Sequence, residues 1–235
     1  MKQLDGLMEA LERFTGQEVT LSWINTVINL AFSLIAFVIL AMALYPMARR
    51  RGFHKTWTAW VPVVNSWLVG GLSDQYRAVN FGQGRSRRKL LLWLSISHTV
   101  LLILMEFVAI RLMLKMWRLD LLDPALLENL PAMSDAELMA MMQQILLPSL
   151  CLMLLALAFF SVYVVYLVFF YIALSDIFKS CDPYRAKAYT ILSIAAGLGM
   201  NLIFGLPLML LPGIFLFALR HADLGMPPRQ TCLPQ

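Results

Sequence analysis

Charge is scarce in this chain. Asp, Glu, Lys and Arg make up 14% of its 235 residues, against roughly 25% in an average soluble domain. With 60% hydrophobic residues and a mean hydropathy of +0.72, a water-facing surface around most of the chain is excluded, and an integral membrane protein is indicated. Cysteine is nearly missing too: Cys151, Cys181 and Cys232 stand apart, with no CxxC and no neighbouring His, which argues against a zinc site and a disulfide framework. The final CLPQ has the outline of a prenylation box, but Pro beside the last position fits it poorly and it is read as chance. Catalytic signatures are absent as well. There is no HExxH, GxSxG or Walker sequence, and AGLGMNLIFG holds a Gly-x-Gly that follows no strand and lacks the third glycine. No pair of acids shares a predicted span, so intramembrane aspartyl proteolysis is unsupported. The sequence therefore predicts a non-enzymatic protein with no cofactor and no metal.

What the chain does have is long apolar runs and one concentrated block of positive charge. Spans are predicted at about 22–47, 90–114, 147–174 and 189–219, since a crossing helix needs ~20 apolar residues. Together they form an all-α integral membrane protein, a single membrane domain over 1–235. Nine of the 19 Lys and Arg lie in the loop 48–89, against the single acid Asp74, whereas 115–145 carries five acids against Lys115 and Arg118. Basic loops stay cytoplasmic, so the reading is a multi-pass cell-membrane protein with its N-terminus outside and 115–145 as an external acidic loop. Residues 1–21 read as an amphipathic surface helix, and their acidic character argues against a secretory signal. Ser134-x-x-Glu137 is a capping box that starts a further helix leading into the third span.

Within the basic loop, 56–72 is rich in Trp. At 100° per residue Trp57, Trp60, Trp67 and Gly71 share a face, with Thr58, Asn65 and Ser66 pointing elsewhere. A Trp stripe beside basic residues belongs at headgroup depth, so an interfacial or shallow re-entrant element is expected, broken or begun near Pro62. The last apolar run is too long for one crossing and too short for two, with Gly205, Pro207, Pro212 and Gly213 interrupting it. It is read as broken or re-entrant, with the side of the C-terminus left open. Asp182-Pro183 is a turn signal.

Three strings carry a resemblance: AWVPVVNSWLVGGLSDQY at 59–76, DIFKSCDPYRAKAYTILSI at 176–194 and ADLGMPPR at 222–229. Their Trp-x-x-Trp-x-Pro-x-x-Asn, SCDP and DLGMPPR patterns resemble a family of small multi-pass membrane proteins of Gram-positive bacteria that carries no assigned activity. A looser likeness of the first string is to membrane segments found near bacterial signal peptidases. The resemblance implies location and topology and supplies no catalytic residue.

Two sets of candidate residues follow. Antiparallel depth matching brings Asn29 to the level of Glu106, puts His98 near Tyr163, and leaves Asn201 in the middle of the fourth run. Polar groups in hydrocarbon usually face a bundle interior. These five either line a path for an ion, proton or small solute or hold helices together. The second set, Trp57, Trp60, Pro62, Asn65 and Trp67, marks a loop presented to a partner. An accessory or scaffold subunit is the first functional reading, and a small transporter or channel-like protein built around Glu106 is the alternative. Expected partners are the bilayer with its anionic headgroups and a membrane protein or second copy, with no nucleic acid.

Overall fold

The computed structural model describes residues 24, 27–28, 30–82, 86–118, 135–197 and 210–226, and every regular element among them is helical. Helix α1 spans Leu30–Arg50. A short 3-10 helix, Thr56–Trp60, leads into α2, Asn65–Phe81. Then come α3, Arg87–Arg118, α4, Asp135–Cys181, α5, Ala186–Gly197, and α6, Leu211–Leu219. Three stretches, Leu30–Arg50, Arg87–Met116 and Met142–Cys181, are long and apolar enough to cross a membrane. At 1.5 Å per residue they measure about 32, 45 and 60 Å, so α3 and α4 outrun a hydrocarbon layer ~30 Å thick. The expected ends at 114 and 147 were set by hydropathy alone, and regular helix continues past both.

Helix α4 begins at Asp135, next to the capping-box Ser134, and runs on through Pro148. Proline has no N–H to give to the carbonyl four residues earlier. That carbonyl belongs to Gln144, and Lys115 Nζ of α3 donates to it at 2.7 Å. The break in the α4 ladder is thus filled from the neighbouring helix. Further along the α3–α4 contact the aromatic stripe of α4 stacks on His98, with Phe159 at 4.7 Å and Tyr163 at 5.2 Å between ring centroids.

The core is not spread along the bundle. Its fully buried apolar residues include Leu44 and Met47 of α1, Leu68 and Leu72 of α2, Leu174, Ile177 and Phe178 of α4, and Leu216 of α6. All gather where α1 and α4 end and α3 starts. By contrast, no residue in the most apolar 18-residue window of α4 is buried, and Leu147, Leu157 and Phe160 are each more than 60% exposed. A continuous apolar surface of that kind belongs in lipid or against protein rather than in water.

Helix α2 is drawn close to α3 by Gly70: a Cβ placed there would lie 2.6 Å from Arg88 Cα, so only glycine permits this approach. The sequence placed the Trp-rich element at 56–72 with Trp57, Trp60, Trp67 and Gly71 on one face, and this phase is corrected. The 3-10 helix ends at Trp60, turns occupy 61–64, and α2 starts only at Asn65. A single 100° period therefore does not run through the segment. Trp57 and Trp60 are exposed, Trp67 packs on the core, and Gly71, Asn65, Ser66 and Thr58 are buried.

The final apolar run contains two short helices. Helix α5 starts directly after the Asp182-Pro183 turn, where Asp182 Oδ1 accepts from the N–H groups of Tyr184 (3.1 Å) and Arg185 (3.3 Å). Pro212 sits in the first turn of α6, where a missing N–H costs no hydrogen bond. Gly213 brings α6 against Ile39 and Leu40 of α1. The amphipathic segment 1–21, most of the acidic loop, and the break at Gly205 and Pro207 lie outside the described residues.

Candidate functional site

The crowded end of the bundle is also polar, and its arginines sit at element boundaries. Arg51 follows the last residue of α1, held in a turn in which its N–H donates to Met47 O at 3.1 Å. Its side chain is only 4% exposed. Nη2 donates to Asp223 Oδ1 and to Ser180 Oγ, both at 2.8 Å. Arg50 takes the other oxygen of the same carboxylate, Nη1 to Oδ2 at 3.1 Å, and also donates to the carbonyls of His221 and Arg220. Two guanidinium groups thus close on one carboxylate, the charge-assisted geometry that arginine forms best.

The tail segment that carries Asp223 is fixed through its backbone as well. Leu224 N donates to Cys181 O and Gly225 N to Ser180 O, each at 3.1 Å, and Asn80 Nδ2 of α2 reaches Gly225 O at 3.3 Å. These bonds satisfy carbonyls at the end of α4, which have no partner within their own helix. A side chain at 225 would collide with the carbonyl of Lys179, so glycine is required for the tail to lie this close.

A second set of polar groups lies beside the first. Asp176 of α4 accepts from Arg87 Nη1 at 2.6 Å and from Ser73 Oγ of α2 at 2.9 Å. Asp74, the next residue of α2, accepts from the N–H groups of Arg87 (2.9 Å) and Arg88 (3.1 Å), which caps the start of α3. Burial pushes the Asp74 carboxyl above its usual range, and the Arg88 hydrogen bond and the Arg88 and Arg77 charges oppose that rise. Gln75 Nε2 donates to Arg51 O at 3.2 Å and joins the two sets.

The three strings singled out in the sequence, 59–76, 176–194 and 222–229, meet here. Ser73, Asp74 and Gln75 come from the first, Asp176, Ser180 and Cys181 from the second, and Asp223 and Gly225 from the third. Arg50, Arg51 and Arg87 of the basic loop tie them together. The clustered polar residues that sequence reasoning missed are therefore mostly inside segments it had marked. The acids next to the apolar runs, Asp74, Asp176 and Asp223, were the signal that could have found them, because an acid beside hydrocarbon calls for a cation partner.

The other candidates fall elsewhere. His98 and Tyr163 are stacked in the α3–α4 contact. Glu106 is eight residues, about 12 Å, further along α3, and it is exposed. Asn29 and Asn201 lie outside the described residues, so His98 and Tyr163 are the members of that set seen together. Pro62 is exposed beside the outward Trp57 and Trp60. Among the described residues, no group of three or more His, Cys, Asp and Glu is gathered to hold a metal ion.

These features define an all-helical protein with three helices able to span a bilayer and an ion-paired cap at one end. Compared with family models, curated proteins and solved structures, the chain matches none of them.

Proposed function

We propose that the protein is a non-enzymatic accessory or scaffold subunit of the cell membrane, which presents its capped end to a membrane-protein partner on the cytoplasmic side. One observation carries this reading. Trp57 and Trp60 stand 60% and 47% exposed on a short turn whose neighbours Thr58 and Ala59 are buried, at the best-packed end of the chain. Exposed aromatics on a fixed support are the composition of interface hot spots, and little ordering entropy is lost when they dock.

In this proposal the chain crosses the bilayer three times, with its N-terminus outside, and the last apolar run is re-entrant. Two points support that topology. Helices α5 and α6 are about 18 and 14 Å long, each too short to cross. The tail after α6 is bonded to Ser180 and Cys181 at the end of α4, where α5 sets out. Loop 48–89 and the tail then share the cytoplasmic face, in keeping with the positive charge of both. The transporter alternative draws no added support from Glu106, which is exposed on α3.

Mild crosslinking in membranes, followed by purification, tests the proposal. Wild type should retain a stoichiometric membrane-protein partner, and Trp57→Ala with Trp60→Ala should lose it. The melting temperature should hardly change, because exposed substitutions fall within about 0.5 kcal/mol. Recovery of lipid alone, or an unchanged partner with the double variant, would contradict the scaffold reading.

A further inference from the structure

Between α4 and α5 lies a groove of about 560 Å³, within the size range of small-molecule sites. Its walls are apolar, with Val164, Val168 and Ile172 of α4 facing Ile194 of α5, and it becomes polar at one end, at Ser175, Asp176 and Lys179. A second hollow of about 410 Å³ shares Leu167 and Tyr171 with it and continues to Tyr163 and to Ala36 of α1. From Lys179 to Tyr163 is 16 residues of helix, about 24 Å, more than the ~15 Å depth of one hydrocarbon leaflet.

The charge at the polar end is unbalanced. Asp176 Oδ2 is taken by Arg87 at 2.6 Å and by Ser73 at 2.9 Å, so this carboxylate already has a close cation. Lys179 Nζ stands 3.9 Å from the other oxygen, and its side chain is 43% exposed. Asp176 is thus shared between Arg87 and the half-exposed Lys179, and these two cations outnumber the one carboxylate at the mouth of an apolar channel. It sits at the capped end, where the Trp and Arg residues mark headgroup level. The combination is a cation at headgroup depth with a chain-length apolar slot running inward from it. A helix of about 10 Å diameter does not enter a hollow of this volume over this length, whereas an acyl chain does.

We propose that the α4–α5 groove is a binding site for one phospholipid with an anionic headgroup, its phosphate at Lys179 and an acyl chain along Val164, Val168 and Ile172. With the threading proposed above, this lipid belongs to the inner leaflet, and that placement rests on the threading. The match of head and chain does not, and lipid binding can be present or absent whatever the crosslinking of Trp57 and Trp60 returns.

The test uses the purified full chain in detergent, titrated with phosphatidylglycerol or phosphatidylcholine of the same acyl composition and read by native mass spectrometry. Wild type should bind one phosphatidylglycerol saturably, with a preference over phosphatidylcholine of about fivefold, the effect of one lysine at an anionic surface. Lys179→Gln should remove the preference while leaving chain binding. Val168→Trp, at a position 52% exposed, should block the slot and abolish saturable binding of both lipids. Val100→Trp on the exposed face of α3 should change nothing. Equal binding of the two lipids by wild type, an undiminished preference in Lys179→Gln, or saturable binding retained in Val168→Trp would each overturn the proposal. So would Val168→Cys linking two copies by disulfide across the groove in membranes, which would make a second copy the occupant.

Discussion

The pair Arg51 and Asp223 is asymmetric in its surroundings, and that asymmetry sets what each residue contributes. Arg51 is 4% exposed and Asp223 37%, so loss of the acid strands a buried cation. Loss of Arg51 leaves a half-exposed carboxylate that water and Arg50 still reach. Breaking a buried pair from one side costs about 3–5 kcal/mol, whereas replacing the buried member by an apolar group of similar volume can be nearly neutral. With Asp223 partly solvated the upper figure is discounted. Asp223→Ala is expected to cost about 2 kcal/mol and Arg51→Met less than half of that, as read from thermal melts in one detergent. The reverse order would mean that Arg51 is better solvated than its position indicates.

At the scale of elements, α3 and α4 hold each other by different means along their length. Near the cap Asp176 pairs with Arg87 in the first turn of α3, in the middle His98 meets the aromatic stripe of α4, and at the far end Lys115 supplies the donor that Pro148 lacks. The last contact makes a cycle that can be measured. Lys115→Met should cost about 0.5–1.5 kcal/mol, the net worth of one hydrogen bond. In a Pro148→Ala background, where residue 148 regains an N–H for Gln144, the same change should cost close to nothing. Equal costs in the two backgrounds would show that the lysine acts on something other than that carbonyl.

Much at this scale was legible in the sequence. Hydropathy located the three long helices, Pro62 marked the break before α2, and Asp182-Pro183 marked the turn before α5. The inward face of α2 was not legible. Periodicity assumes one continuous helix, and the turns at 61–64 reset the phase so that Trp67 goes inward with Ser66 and Ser73. Nor does local pattern pair Arg51 with a residue 172 positions later, or Ser73 with one 103 positions later. Such contacts depend on how whole helices are arranged.

As a whole the molecule is polarised, with its core and ion pairs at one end and a long exposed helical hairpin at the other. Few residues in the most apolar windows of the three long helices are buried, so the proposal has the cap stabilise the fold while lipid covers the remainder. Helix α6 and the tail belong to the cap, so the protein is proposed to begin and end on opposite faces of the membrane. Single-cysteine labelling with a membrane-impermeant thiol reagent tests this claim most directly, in a background with Cys151, Cys181 and Cys232 replaced. Tyr184→Cys, at the start of α5, and Leu224→Cys, after α6, stand at exposed positions of 91% and 72%. Both should label only after permeabilisation, whereas Ala136→Cys near the start of α4 should label on intact cells. Labelling of Leu224→Cys and Tyr184→Cys from opposite sides would contradict the account, since the final apolar run would then cross the bilayer and Asp223 could not reach Arg51.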